Sequence, residues 1–137
     1  MASKLKVDEL EGVTTAGSID VTSEGGAVST NLQQGLAKMW ENIDASSGTP
    51  VSQDGLNNST LTDRGTGQFT ASFTNTMNND NYSIPSTGSR SDTVGAVAMS
   101  ITPRSLTTSD FDFNCEYNNG SVWDYENIFL SVFGDLA

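Results

Sequence analysis

The sequence predicts an all-β protein: an antiparallel β-sandwich or jelly-roll-like domain preceded by an extended N-terminal arm. Three observations predict it. Ser, Thr and Asn number 18, 16 and 12 among 137 residues, and these residues favour turns and solvated strand faces over helix interiors. From residue 36 onward, short runs of alternating apolar residues are separated by Gly, Asn, Asp and Pro, at the roughly 8–12-residue spacing of a sandwich. No aromatic residue precedes Trp40, so the first part of the chain has little with which to build a core of its own. Apolar residues make up 35%. That permits a small core, which burial between subunits would help.

Residues 1–34 read as the arm and 35–137 as the domain. Two short alternating segments, 5–7 and 19–21, place Leu5, Val7, Ile19 and Val21 as apolar attachment positions for a partner chain; SEGGAVST after them reads as loose chain. NLQQGLAKMWENID at 31–44 fits two templates. Leu32, Leu36, Trp40 or Met39, and Ile43 trace a helical stripe, while a turn at 33–35 followed by a strand over 36–43 fits as well. Gly35 costs a helix about 1 kcal/mol, which favours the strand. SSGTPVSQDGLNNST at 46–60 is loop chemistry.

Residues 60–63, the turn RGTG at 64–67 and residues 68–75 form a hairpin. Its second strand puts Phe69, Ala71 and Phe73 on one side and Gln68, Thr70, Ser72 and Thr74 on the other. NNDN at 78–81 ends it, residues 82–85 open another strand, and 86–92 read as a loop. Residues 93–102 form a small-residue strand before Pro103, which a central ladder would not accept.

DFDFNCEYNNGSVWDYENIFLSVFG at 110–134 carries the clearest pattern. Phe111, Phe113, Cys115 and Tyr117 share one face. Asn119-Gly120 predicts a type I′ turn, with a return strand over 123–133. In that strand Ile128, Leu130 and Val132 occupy one face, Phe129 and Phe133 the other. A strand apolar on both faces is central or pressed against another subunit. In the second case Ile128, Leu130, Val132 and Phe133 are the oligomer-interface candidates.

Charge narrows the function. There are 17 acidic and 6 basic residues, no histidine and a net charge of −11, and no basic residue follows Arg104. A nucleic-acid partner needs a basic footprint, and an anionic membrane surface would repel this chain. No segment approaches the length of a membrane span, and MASKLKVDELEGV lacks the apolar region of a signal peptide. A single cysteine forms neither an internal disulfide nor a thiolate metal cluster, so Cys115 reads as a small buried hydrophobe.

Without histidine most nucleophile–base arrangements are missing. The carboxylates Asp110, Asp112, Glu116, Asp124 and Glu126 fall on a solvated hairpin face rather than across a cleft. The expectation is no enzyme, no cofactor, and no catalytic or metal residue. Residues 78–81 and the set Asp110, Asp112 and Asp124 offer oxygen ligands for calcium, without the spacing of a calcium loop. Trp123 and Tyr125, beside the Asn-Gly turn, are candidate glycan contacts; the alternative is that they belong to the core.

Several phrases occur together in order: SKLKVDELEGVTTAGSI at 3–19, GLAKMW at 35–40, SQDGLNNSTLTDRGTGQFTASFTNTMNNDNY at 52–82 and VFGDLA at 132–137. This set resembles a family of small fibre-like virion structural proteins of tailed bacteriophages, especially phages of marine bacteria and cyanobacteria. GLNNST departs from the regular strand expected there. The resemblance implies a homotrimeric protein, assembled in the host cytoplasm and carried on the virion. The arm would attach it to other virion proteins and the β-domain would point outward, toward host glycan. Capsid decoration, in which a cement protein staples capsomers, and a stand-alone carbohydrate-binding module remain open beside the fibre or adhesin reading.

Overall fold

The structure is a computed structural model that describes residues 5–11, 19–22, 26, 28–90 and 99–137. The chain divides into two units, Met1–Leu36 and Ala37–Ala137.

In the first unit, β1 (Asp20–Thr22) pairs antiparallel with β2 (Ser29–Asn31), matching Val21 to Thr30. A one-turn helix, α1 (Leu32–Gly35), follows, with Asn31 Oδ1 accepting the Gln34 N–H as its cap. This corrects the sequence reading of SEGGAVST as loose chain, since its last two residues open β2. The Ile19 segment pairs within its own chain: the Leu32 N–H donates to the Ile19 carbonyl and Val21 lies in β1. Leu5 and Val7 lie in irregular backbone rather than a strand, with Leu5 82% exposed.

The second unit is the predicted antiparallel sandwich. One sheet has the order β4-β3-β10-β7 and the other β5-β6-β9-β8. The first comprises β3 (Met39–Asp44), β4 (Val51–Leu56), β7 (Ser86–Ser89) and β10 (Asn127–Val132). The second comprises β5 (Asn58–Gly65), β6 (Gln68–Phe73), β8 (Met99–Leu106) and β9 (Asp110–Tyr117). Alternation drives the layering, because every second side chain of a strand faces the same way. Phe69, Ala71 and Phe73 of β6 and Phe111, Phe113 and Cys115 of β9 face Met39 and Ile43 of β3 and Ile128, Leu130 and Val132 of β10 across one core. Tilted ring contacts link Phe69 to Phe113 at 5.5 Å and Phe73 to Phe111 at 5.7 Å. Each fully buried side chain of this size contributes about 1.5–3 kcal/mol.

The 60–75 hairpin forms as predicted, with Leu61 opposite Ala71 and Thr62 opposite Thr70. The strand following the 33–35 turn also forms, beginning at Met39. Four expectations change. VSQDGL is a strand, not loop: β4 is held to β3 from Asp44–Val51 to Trp40–Leu56, with a bulge between Asn42 and Ile43. All six of its residues are exposed, and as an edge strand it tolerates turn-prone residues. STGS, read as loop, is β7. Its Gly88 lies so close to Tyr125 and Asn127 that a Cβ would stand 2.7 Å from the Asn127 carbonyl oxygen. The small residues are what admit the neighbouring strand. Tyr82 to Pro85 contributes only a bridge, Ser83 with Phe133.

The fourth change concerns the Asn-Gly turn. Gly120 has φ +80° while Asn119 does not take a positive φ, and the Gly120 N–H donates to the Tyr117 carbonyl. This is a type I turn with a glycine bulge rather than type I′. The turn closes a single bridge, Glu116 with Val122. The chain then crosses to the other sheet, where β10 lies between β3 and β7. Residues 93–98 of the expected strand lie outside the described residues; 99–102 open β8. Pro103 sits within β8 at an irregular register, on an edge strand where a missing N–H costs no ladder bond.

Asn57 makes the corner between the sheets. Among the described residues it is the only non-glycine with positive φ, +61°, a conformation asparagine tolerates better than most residues. Its Nδ2 donates to the carbonyls of Lys38 and Asn75 at 3.0 Å each, and its Oδ1 accepts from the Asn75 N–H at 2.6 Å. One side chain thereby ties the start of β3 to the end of β6.

Candidate functional site

The burial pattern reassigns most of the proposed interface. Ile128, Leu130 and Val132 are fully buried in the core of the single chain, which removes them as surface contacts. β10 is central in its sheet with one face in the core, and its outward residue is Phe129, 45% exposed; Phe133 is half-buried. On the same outer face Trp40 stands opposite Leu56, and both are exposed.

Tyr125 is also a core residue. It is fully buried, its hydroxyl donates to the Glu116 carbonyl at 2.6 Å, and burial pushes its pKa up to about 12. It therefore cannot contact a glycan. Trp123 is 38% exposed, and its backbone N–H donates to the Cys115 carbonyl at 3.0 Å. The Arg90 guanidinium lies 4.1 Å from the ring centroid, and Arg90 also donates to the Tyr117 hydroxyl at 3.0 Å. Tyr117 meets Trp123 edge-on at 5.6 Å. The group offers a flat apolar ring, a phenol and a planar cation within one exposed cluster, which is chemistry suited to saccharide hydroxyls or an anionic sugar. The sequence located the tryptophan. Arg90 lies 33 positions away from it, and no local pattern links the two.

The acidic row on the outer face of β9 is bonded within the sheet. Asp112 pairs with Arg64 and accepts from the Thr70 hydroxyl at 2.6 Å. Glu116 accepts from Asn114, Arg104 and Thr102; the Asn114 bond and then the Arg104 bond hold its carboxyl below the ordinary range. Asp110 is bonded to Thr107 and Ser109, and Asp124 accepts the Gly67 N–H at 2.7 Å. Asn79 caps its own turn through the Asn81 N–H. Among the described residues no three His, Cys, Asp or Glu side chains gather as metal ligands. Cys115 is fully buried and its thiol is pushed up to about 12, chiefly by burial, so it holds little thiolate at neutral pH.

Besides Arg90, two residues that sequence reasoning missed are Asn57 and Glu41. The signal for Glu41 was a glutamate at the inward position of Met39-x-Glu41-x-Ile43; for Asn57 there was none, since Asn-Asn reads as an ordinary turn. Comparison with protein-family models, curated proteins and solved structures returned no significant match.

Proposed function

We propose that the chain is a structural protein of a tailed-phage virion: a small homotrimeric fibre- or adhesin-type protein displayed on the particle for host attachment. The observation that carries the reading is the division of labour along the chain. A sandwich with a complete core follows a small N-terminal unit whose Leu5, Val7, Leu10, Val21 and Val28 are exposed, as suits an arm that docks on another virion protein. The ordered resemblance at 3–19, 35–40, 52–82 and 132–137 supplies the class. Self-association is assigned to the outward face of β10 at Phe129, and glycan contact to Trp123 with Arg90 and Tyr117.

Gold-labelled antibody against this protein, imaged on virions, tests the reading: label at the tail is expected. Label on heads favours the second reading, capsid decoration, in which the arm adds a strand to capsid protein. Deleting residues 1–34 then frees the protein from heads instead of tails. Absence from particles, with saturable sugar binding by the free protein, would overturn both in favour of a carbohydrate-binding module.

A further inference from the structure

Glu41 is 2% exposed on the inner face of β3, between Met39 and Ile43. Leu130 of β10 lies opposite it on one side and Gly55 of β4 on the other. The carboxyl lies over Gly55, where any Cβ would collide with it. Neither carboxyl oxygen has a partner within hydrogen-bond geometry, while the Ser52 and Asn58 side chains lie close enough to favour its charged form, less than burial opposes it; the other buried side-chain atom left without a partner among the described residues is Asn58 Oδ1. Asn58 opens β5 opposite the buried Phe73, and its side chain and the Ser52 hydroxyl are the polar groups beside the carboxyl. All three orphaned atoms are acceptors, an arrangement that costs several kcal/mol if the carboxylate is ionised.

The charges around it offer no relief. β4 contributes Asp54, whose field disfavours ionisation. β6 and β10 carry no charged residue, and β5 none before Asp63. Arg64 and Arg104 are bound to Asp112 and Glu116, Arg90 lies on Trp123, and Lys38 feels Asp135.

We propose that Glu41 is carried as the neutral acid with its O–H donated to Asn58 Oδ1, forming a pH-sensitive tie between β3 and the corner where β4 passes into β5. One proton supplies a donor where three buried acceptors lack one, and it removes the buried charge. Burial raises the carboxyl above its ordinary 4.5, Ser52 and Asn58 lower it, and Asp54 raises it again. A raised folded-state value makes this stabilisation complete below the unfolded value, about 4.3. It is then lost as pH climbs through the folded value. The corner feels the loss directly, because Asn58 adjoins Asn57, which bonds Lys38 and Asn75.

Two measurements on the full chain test this. Carbon-13 NMR of the glutamate carboxyls, assigned through bonds in the wild type, is expected to show Glu41 titrating above 4.5. The melting temperature of the wild type is expected to fall by about 4 °C or more relative to Glu41→Gln between about pH 4.5 and pH 7.5. A Glu41 resonance titrating at or below 4.5, or parallel pH profiles for the two proteins, would overturn the proposal. Calcium that raises the wild-type melting temperature, reversed by chelator and absent in Glu41→Gln, would overturn it too, showing an ionised carboxylate that holds a cation.

Discussion

The two sheets of the sandwich solve the same problem with opposite materials. The β5-β6-β9-β8 sheet fills its side of the core with Phe69, Phe73, Phe111 and Phe113 and closes its outer face with polar bonds, Arg64 to Asp112 to Thr70 and Arg104 to Glu116. The β4-β3-β10-β7 sheet fills its side with Met39, Ile43, Ile128, Leu130 and Val132, includes the buried Glu41, and exposes Trp40, Leu56 and Phe129 outward. A sheet whose outer polar groups are mutually satisfied has little to offer a partner. One that leaves large apolar side chains in water gains by being covered.

Core substitutions probe the shared interior and have the largest effect. Phe111→Ala is expected to cost about 3–5 kcal/mol, read by denaturant unfolding. Leu130→Asp is expected to prevent folding of the isolated chain, because it leaves an unpaired charge in the core. A folded but monomeric Leu130→Asp protein, by circular dichroism and light scattering, would mean that Leu130 serves the assembly instead.

Next comes the corner that joins the sheets. Asn57→Ala removes three hydrogen bonds and places alanine at a positive φ, for an expected loss of about 2–4 kcal/mol. Asn57→Gly keeps the backbone angle, so it should lose less than alanine; equal losses would assign the whole effect to the side-chain bonds.

Phe129→Asp sharpens the contrast between the outer faces. Its circular dichroism is expected to match wild type, since surface changes cost the fold of the single chain little, while light scattering reports the monomer. The matching change on the other sheet, Asp112→Asn, is expected to leave the oligomeric state as it was. If Asp112→Asn and not Phe129→Asp dissociates the protein, the two faces have been assigned the wrong way round.

The smallest effect is a pH signature of opposite sign in the two sheets. Glu116 is held below its ordinary value by Asn114 and Arg104, so its stabilisation is present above the unfolded value and fades as pH falls through the folded one. Arg104→Gln is expected to cost no more than about 1 kcal/mol at neutral pH and to flatten the acid limb of the stability curve. Glu41, inside the other sheet, acts on the opposite limb.

Legibility followed the same division. Strands β6 and β9 were plain because each puts its phenylalanines at every second position, and burial on one face enforces that period. Strands β4 and β7 were not, because VSQDGL and STGS draw their extended form from the neighbours β3 and β10 rather than from any preference of their own. The return strand expected over 123–133 forms only over 127–132, and in the other sheet: Asn119-Gly120 makes a turn wherever it occurs, but a turn does not choose which sheet the chain enters next. At the candidate sites, Trp123 was found from its type and position, whereas Tyr125 was lost to the core and Arg90 came from a distant loop.

What the sequence determined by itself was the all-β class, the aromatic half of the core, the 60–75 hairpin and the acidic, histidine-free chemistry. These depend on composition and on a period of two, both of which are local. The tertiary structure alone decided the central place of β10, the burial of Ile128, Leu130 and Val132, the edge strands β4 and β7, and the seating of Glu41 over Gly55. Each of these depends on which strand lies alongside, and that is settled by how two sheets close over one core.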